Sequence, residues 1–514
     1  MKKGRAVGTY LILVTAVLLV KILGMVRTML LSRYYGATAL ADAFNAASSL
    51  PLSFYDITLG TAIASAFVPV FNDKLANGER TDADRFASNF LNCTLLIAGI
   101  FAAFGMLYPQ VALHLVASGL EGEAFAYATS LTRIIMPVIA LATGTYVFIG
   151  VLQSYGEFTG PALVSLCYNA VMILYFLVLD RWFGIYGLGV AFTIGWLLQL
   201  LFLVPYLKKK KFHYSFGLDL RSSDLRKVLV LTLPLFVAAL AQPINQLISS
   251  NISSGLGEGM LSSVNYAYQA YFIVSGIFSY CLTNLFFPEM SRCFARGEQE
   301  RAKEICGNMI GSISAIILPI MAFLGGNSKA VVRLLYEGDH FSAQDTRRVG
   351  ILLAIYTVAM LFYSYQDILN KYFYSMQKVK YPVLTAFAGI AVNLAVALVA
   401  VKKLGVYGLA LGTVCAAIVM AGMLLFFAGK VTKGIYTRGI FYGVLKDLVG
   451  AMALFIAARE LRIYLEQMIG GAVGTLVGLI AGLVVGLLLY GGVLWLLGSK
   501  ELHSLIQAVK KNEK

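Results

Sequence analysis

Charge is scarce in this chain, and cysteine and histidine are scarcer still. Only 13% of the 514 residues are Asp, Glu, Lys or Arg, against 59% apolar, and mean hydropathy is +0.78. A soluble protein of this size could not hide that much apolar surface. The six cysteines (Cys93, Cys167, Cys281, Cys293, Cys306, Cys415) stand in or beside apolar runs. None forms a C-x-x-C pair, which argues against a zinc site or a disulfide framework. The four histidines are dispersed, with no H-E-x-x-H, so no metal centre is expected. No G-x-x-x-x-G-K-S/T phosphate loop occurs, so no ATPase of the chain's own is expected. Acidic residues number 26 against 41 basic ones, a net charge of +15. That excess could point to nucleic acid. Lys and Arg instead gather in short loops, and no basic domain stands outside the apolar segments, so no nucleic-acid partner is expected.

What the chain has is apolar length. Runs of about twenty apolar residues, the length of a membrane-spanning helix, recur from end to end. Fourteen segments are expected, near 7–34, 41–71, 84–108, 125–153, 161–180, 185–207, 226–254, 260–290, 306–326, 348–376, 382–401, 406–429, 441–462 and 472–498. Several exceed the ~20 residues needed to span, and tilt, bend or project beyond the bilayer. The N-terminal run resembles a signal peptide but lacks a small-residue cleavage site, so it reads as a retained first helix. Basic loops alternate with loops poor in charge. Lys74, Arg80 and Arg85 follow the second segment, Lys208 to Lys211 with Arg221, Arg226 and Lys227 follow the sixth, and Arg292, Arg296, Arg301 and Lys303 follow the eighth. The loop from Tyr108 to Tyr127 has no Lys or Arg. Both termini are therefore expected on the cytoplasmic side.

The chain repeats itself. Ala66-Phe67-Val68-Pro69 with Gly78-Glu79 returns as Leu285-Phe286-Phe287-Pro288 with Gly297-Glu298, an offset of 219. Pro161 with Gly184-Ile185-Tyr186-Gly187-Leu188 returns as Pro382 with Gly405-Val406-Tyr407-Gly408-Leu409, an offset of 221. Two matches at nearly one offset imply two parallel six-helix halves, 1–222 and 223–436, with two further helices and a short tail in 437–514. Parallel repeats are a transporter signature, with the substrate site near the repeat interface.

Charges inside apolar segments nominate the site. A charge at the bilayer centre costs at least ~2.5–3.5 kcal/mol on insertion scales, so it needs a partner, water or a function. The first segment holds Lys21 and Arg27, about 120° apart at helical period, with Gly24 between them as a possible hinge. The second holds Asp42 and Asp56, about 40° apart on one face. Snorkelling is the competing reading for Arg27, and an ion pair between Asp56 and Lys21 or Arg27 the competing reading for Asp56. The seventh segment carries a polar stripe of Gln242, Asn245, Gln246, Ser249 and Ser253, suited to a hydrated interior or to interhelical bonding. Asn265, Gln269 and Asn284 follow on the eighth. On the tenth, Asp367 and Lys371 read as an i, i+4 neutralising pair. The last two segments are rich in glycine (Gly470, Gly471, Gly474, Gly478, Gly482, Gly486), which fits close helix packing or, alternatively, a groove for a lipid tail.

The pattern resembles the MurJ-type lipid II flippases of the multidrug/oligosaccharidyl-lipid/polysaccharide exporter superfamily. Leu23-Gly24-x-x-Arg27, Ala41-Asp42-Ala43-Phe44, Leu50-Pro51, Ala66-Phe67-Val68-Pro69, Leu256-Gly257-Glu258-Gly259, Tyr266-Ala267 and Phe287-Pro288-x-x-Ser291-Arg292 carry the resemblance. It implies an all-α, V-shaped, fourteen-helix membrane protein. It places Lys21 and Arg27 on a cationic central cavity and matches Asp42 to an acid at the start of the second helix. Where the family carries second- and eighth-helix arginines, this chain has Tyr55, beside Asp56, and Gln269. Its seventh-helix aspartate, associated with sodium, falls on Ser249. The implied function is transfer of a polyprenyl-diphosphate-linked glycan, lipid II, to the outer leaflet of the bacterial cytoplasmic membrane. No bond is made or broken, so no enzyme activity is expected. The implied form is a monomer among membrane lipids, with no cofactor and with Na+, H+ or the membrane potential as the possible drive. Another polyprenyl-diphosphate oligosaccharide, a multidrug antiporter using Asp56, and a non-transporting scaffold remain as alternatives.

Overall fold

The computed structural model describes residues 3–56, 60, 63–78, 80–239, 241–432 and 438–499. The side chains of 3–18, 64–65, 231, 233–239, 241–242, 273–286, 288 and 438 lie outside that description. The described residues are helical, with no strand among them. In order, they form α1 (Lys3–Tyr35), α2 (Ala39–Tyr55), α3 (Val68–Asn77), α4 (Arg80–Leu107), α5 (Pro109–Ala117) and α6 (Gly122–Ile135). Next come α7 (Val138–Ser154), α8 (Thr159–Leu174), α9 (Asp180–Lys209), α10 (Ser223–Ala239), α11 (Ala241–Ser254) and α12 (Met260–Ala295). Then follow α13 (Gln299–Tyr336), α14 (Ala343–Ser375), α15 (Lys380–Leu404), α16 (Tyr407–Thr432), α17 (Arg438–Ile469) and α18 (Gly471–Leu496). Among the described residues, eight helical stretches are long and apolar enough to cross a membrane, or nine with the bent pair α6–α7 counted as one.

The joints differ from the sequence expectation. In the second segment α-helical geometry gives way to π-helical geometry after Tyr55: among the described residues Asp56, Gly60 and Ile63–Phe67 are π-helical, and the last stretch leads into α3. The loop from Tyr108, which lacks Lys and Arg, contains α5. The fourth segment bends by 43° between α6 and α7, where Pro137 lacks the N–H that would carry the helix on. The fifth and sixth segments run on through a π-helical stretch, Tyr175–Leu179, and turn at Gly184 (φ 53°, ψ −149°). That backbone conformation is essentially restricted to glycine.

Packing divides the chain into two compact units: Met1–Ser262 with Gly338–His340, and Ser263–Glu337 with Phe341–Lys514. In the first, α2 lays the fully buried Ala41, Ala43, Ala46 and Ala47 towards its neighbours, chiefly α6. Small side chains let those helices approach closely. Below them Phe67 stacks on Phe71, Phe86 and Phe90 at 5.6, 5.6 and 4.7 Å. In the second unit, α13 packs on α14 and α17, and α17 on α18. A Cβ on Gly478, Gly482 or Gly486 of α18 would stand 2.9, 2.7 or 2.8 Å from Arg462, Ala458 or Leu454 of α17. Those glycines are occupied by helix packing, the first of the two readings offered by the sequence. The same pair is tied to α13 by polar contacts: Arg333 and Arg462 each reach Glu466 at 2.8 Å, and Thr475 donates to Glu466 at 3.2 Å.

Candidate functional site

Helix α1 runs unbroken through Lys21, Gly24 and Arg27, all half-buried. Gly24 shows no break here. A Cβ there would meet only the Asn169 side-chain oxygen at 4.0 Å, ordinary contact. The Thr28 hydroxyl donates to the Gly24 carbonyl at 3.1 Å, a back-bond that tends to bend a helix.

Arg27 meets an aromatic partner. Its guanidinium lies over the ring of Tyr168 on α8, 4.9 Å from the centroid. Asn169, next in the chain, donates to the Val20 carbonyl at 3.5 Å, so α8 touches α1 on both sides of Lys21. Tyr168 fits because position 195 of α9 is glycine: a Cβ there would stand 2.7 Å from the Tyr168 ring. From Tyr168 an aromatic chain crosses the unit. Its ring is 5.4 Å from Phe192 and 6.1 Å from Trp196, and Trp196 is 6.2 Å from Tyr146. Tyr146 in turn stacks on Tyr55 at 4.6 Å. The indole N–H of Trp196 has no hydrogen-bond partner among the described residues, although the residue is only 7% exposed.

The structure thus connects Tyr55 to Arg27 through rings that the sequence did not single out. Tyr146, Tyr168 and Trp196 are aromatic residues in apolar helices, and nothing in the sequence separates them from core. Asp56 is exposed and enters no ion pair among the described residues. The ion pair between Asp56 and Lys21 or Arg27, considered from sequence, does not form.

Asp42 is used differently. It is 2% exposed and accepts from Gly259 N–H at 2.7 Å, Ser262 N–H at 2.7 Å and the Ser262 hydroxyl at 2.6 Å. Both carboxylate oxygens therefore cap the start of α12, where unsatisfied N–H groups and the helix dipole favour an anion. Gly259 is required in this contact: its φ is +75°, and a Cβ would stand 2.0 Å from the Ala37 carbonyl oxygen. Glu258 adds a bond to the Ala39 N–H at 2.9 Å, and Asn45 donates to the Ser262 hydroxyl at 3.1 Å.

On α11, Asn245 is half-buried and Gln246 exposed, while the Gln242 side chain lies outside the described residues. Ser253 is fully buried and donates to its own backbone at Ser250, 3.0 Å away. The other face of α11 is tied to α5 and the turn after it. The Ser118 hydroxyl donates to Asn251 at 2.9 Å, and the Gly119 N–H donates to Ser254 at 3.1 Å. Gln269 is half-buried on α12 and belongs to the second unit. In that unit Lys371 lies 5.0 Å over the Phe287 ring, out of direct contact with Asp367 but near enough for its charge to favour that carboxylate. Among the described residues no three His, Cys, Asp or Glu side chains gather where they could hold a metal. The arrangement in the first unit can bind an anion at Arg27 and stack flat groups along the rings.

Over most of its length the chain is similar to known proteins. The family model described as lipid II flippase MurJ matches residues 31–482. A protein described as lipid II flippase MurJ from Burkholderia cenocepacia is 27% identical over 499 residues, covering 94% of this chain and 96% of that one. A solved structure of lipid II flippase MurJ in an inward closed conformation superposes with a TM-score of 0.80 at 22% identity, over 95% of this chain and 99% of that chain. An inward-facing multidrug resistance MATE family transporter of the MOP superfamily gives a TM-score of 0.70 at 14% identity, over 83% and 98%. At those identities the two structures speak for the fold alone, a polytopic helical membrane protein.

Proposed function

This chain belongs to the lipid II flippase MurJ family, and we propose that it carries lipid II from the inner to the outer leaflet of the bacterial cytoplasmic membrane by alternating access. The observation that supports the role of the first unit is Arg27. Its guanidinium lies against the ring and hydroxyl of Tyr168 and meets no carboxylate among the described residues, so its charge is not neutralised and its remaining N–H groups can serve a ligand. A diphosphate cannot enter hydrocarbon bare. Arg27, assisted by Lys21, supplies charge-assisted hydrogen bonds in place of water, and the planar guanidinium suits phosphate oxygens. Tyr168 and Tyr146, the accessible members of the ring chain, offer flat apolar surface for the sugars, and Asn245 and Gln246 are amide partners for sugar or peptide. The polyprenyl tail stays in lipid.

The basic loops place both termini in the cytoplasm. The chain acts as a monomer. Membrane potential supplies ~2.3 kcal/mol per charge per 100 mV, enough to bias the cycle without a dedicated ion site.

The test is rescue of a bacterium depleted of its own lipid II flippase, scored by lipid II exposure on the outer leaflet, with membrane levels matched. Wild type restores exposure. Arg27→Ala lowers the rate by about tenfold or more, the effect of losing a charged hydrogen bond worth ~1.5–3 kcal/mol. Failure of well-expressed wild type would remove lipid II as the cargo.

A further inference from the structure

The connector between α9 and α10 lies along α4 as a strap. Asp84, Ser88, Asn89 and Asn92 stand at i, i+4, i+5 and i+8 on one face of α4, and each bonds the strap's backbone. Asp84, 2% exposed, accepts the His213 N–H at 3.0 Å together with the Tyr155 hydroxyl. Ser88 accepts the Ser215 N–H at 3.1 Å, and Asn92 donates to the Gly217 carbonyl at 2.8 Å. Asn89 bonds both the carbonyl and the N–H of Asp219, at 3.0 and 2.7 Å. Non-helical backbone beside a bilayer is tolerated only when its polar groups are satisfied in this way.

With the backbone bonded towards α4, other side chains are left open. Phe216 is 94% exposed, Leu218 53% and Leu220 61%. Basic residues frame them, in two classes. Lys74 and Lys227 pair with Asp224 and Asp73 at 2.8 and 3.1 Å, and Lys210 reaches Glu157 at 3.8 Å. Bonds from Lys227 and then Asn77 hold the Asp73 carboxyl below its ordinary value. Lys208, Lys209, Lys211 and Arg221 are exposed and have no carboxylate partner among the described residues. The strap reaches furthest along α4 at Asn92, which bonds Gly217 and Tyr214. One turn beyond Asn92 on α4, Leu96 and Ile97 are 44% and 42% exposed, the start of that helix's bare apolar surface.

We propose that this strap is a binding site for anionic phospholipid. Phe216, Leu218 and Leu220 enter the boundary between head groups and acyl chains, and Lys208, Lys209, Lys211 and Arg221 bind head-group phosphates. An apolar trio inside a basic frame, at the edge of a lipid-facing helix, matches a charged interface better than it matches water or neutral lipid. The assignment to the inner leaflet rests on the cytoplasmic placement of basic loops given above. The site itself does not rest on it.

The test uses the full chain in nanodiscs with Phe216→Trp. Quenching of the introduced indole by brominated phosphatidylglycerol is compared with quenching by brominated phosphatidylcholine at equal mole fraction, with the unsubstituted protein as background. Phosphatidylglycerol is expected to quench at a mole fraction at least about fivefold lower, the effect of roughly one basic residue at an anionic surface. Replacing Lys208, Lys209, Lys211 and Arg221 together by Gln brings the two lipids level. Should that variant fold poorly, raising salt from ~0.1 to ~1 M on the Phe216→Trp protein must abolish the preference. Equal quenching by both lipids from the outset overturns the anionic site. Quenching by neither overturns the membrane contact and leaves the strap to water or a protein partner. No lipid II is present, so these outcomes stand apart from success or failure of the rescue assay.

Discussion

The first unit is jointed where the second is continuous. Helices α6 and α7 run from Gly122 to Ser154 with a 43° bend, while α14, at an offset of 221, runs from Ala343 to Ser375 as one helix. Helices α4 and α5 run from Arg80 to Ala117 with a break at Tyr108, while α13, at an offset of 219, runs unbroken from Gln299 to Tyr336. Single residues stand at the difference. Pro137 corresponds to Val358, and Pro109 to Ser328. Proline alone does not break a helix, since Pro319 stands inside α13 and the helix continues. At the first-unit break the preceding residue has also left helical geometry, with Tyr108 at φ −122°, ψ 56°. The part of α13 that matches α5 carries Arg333, bound to Glu466 of α17. One unit thus has a joint where the other has a brace. The unit with the joints is the one that carries Arg27.

Six substitutions would break or sharpen this contrast, each read as a thermal unfolding midpoint in detergent. Val358→Pro should have the largest effect, a loss of about 3 kcal/mol, because it removes a helical hydrogen bond and sets a ring against the Ala354 carbonyl. Val358 is 38% exposed, so the loss would report on backbone rather than packing. The converse, Pro137→Ala, should change stability by less than about 1 kcal/mol. If Val358→Pro is silent, the continuity of α14 is not what distinguishes the units. Asp42→Ala should cost about 2–3 kcal/mol, since it leaves the buried Gly259 and Ser262 donors without an acceptor. Gly184→Ala and Gly405→Ala test what the units share. Their backbones are alike, at φ 53°, ψ −149° and φ 56°, ψ −137°. Each should lose about 1–3 kcal/mol, and by similar amounts. Unequal losses would show that the two turns are not equivalent. Glu466→Gln should cost only about 1 kcal/mol, because its arginine partners are partly solvated and Thr475 can still donate to the amide oxygen.

The sequence revealed helices better than joints. Membrane-length apolar runs locate α14 to α18 to within a few residues at most ends, because hydropathy reports what must face lipid, whereas α13 extends well past both ends of its apolar run. It does not report where an apolar helix bends. The π-helical stretches, the break at Tyr108 and the end of α2 at Tyr55 all pass unseen. At the site, Lys21 and Arg27 stood out because charge is rare in an apolar helix. Tyr168, Trp196 and Tyr146 did not, because an aromatic side chain among leucines looks the same whether it packs a core or supports a guanidinium. Asp42 was noticed for its charge, but its partners could not be, since Gly259 and Ser262 lie 217 and 220 positions away.

That last separation has a consequence for biogenesis. Asp42 leaves the ribosome long before the helix start it caps. At about 5–20 residues per second, roughly 10–40 s separate Asp42 from Ser262. Through that interval the nascent first unit has a carboxylate without its acceptor site filled, and water, lipid head groups or an insertion factor must satisfy it. A fragment ending at residue 222 would never complete the contact, whereas one ending at 262 would include it. The first unit therefore matures only when the opening residues of α12 have been synthesised.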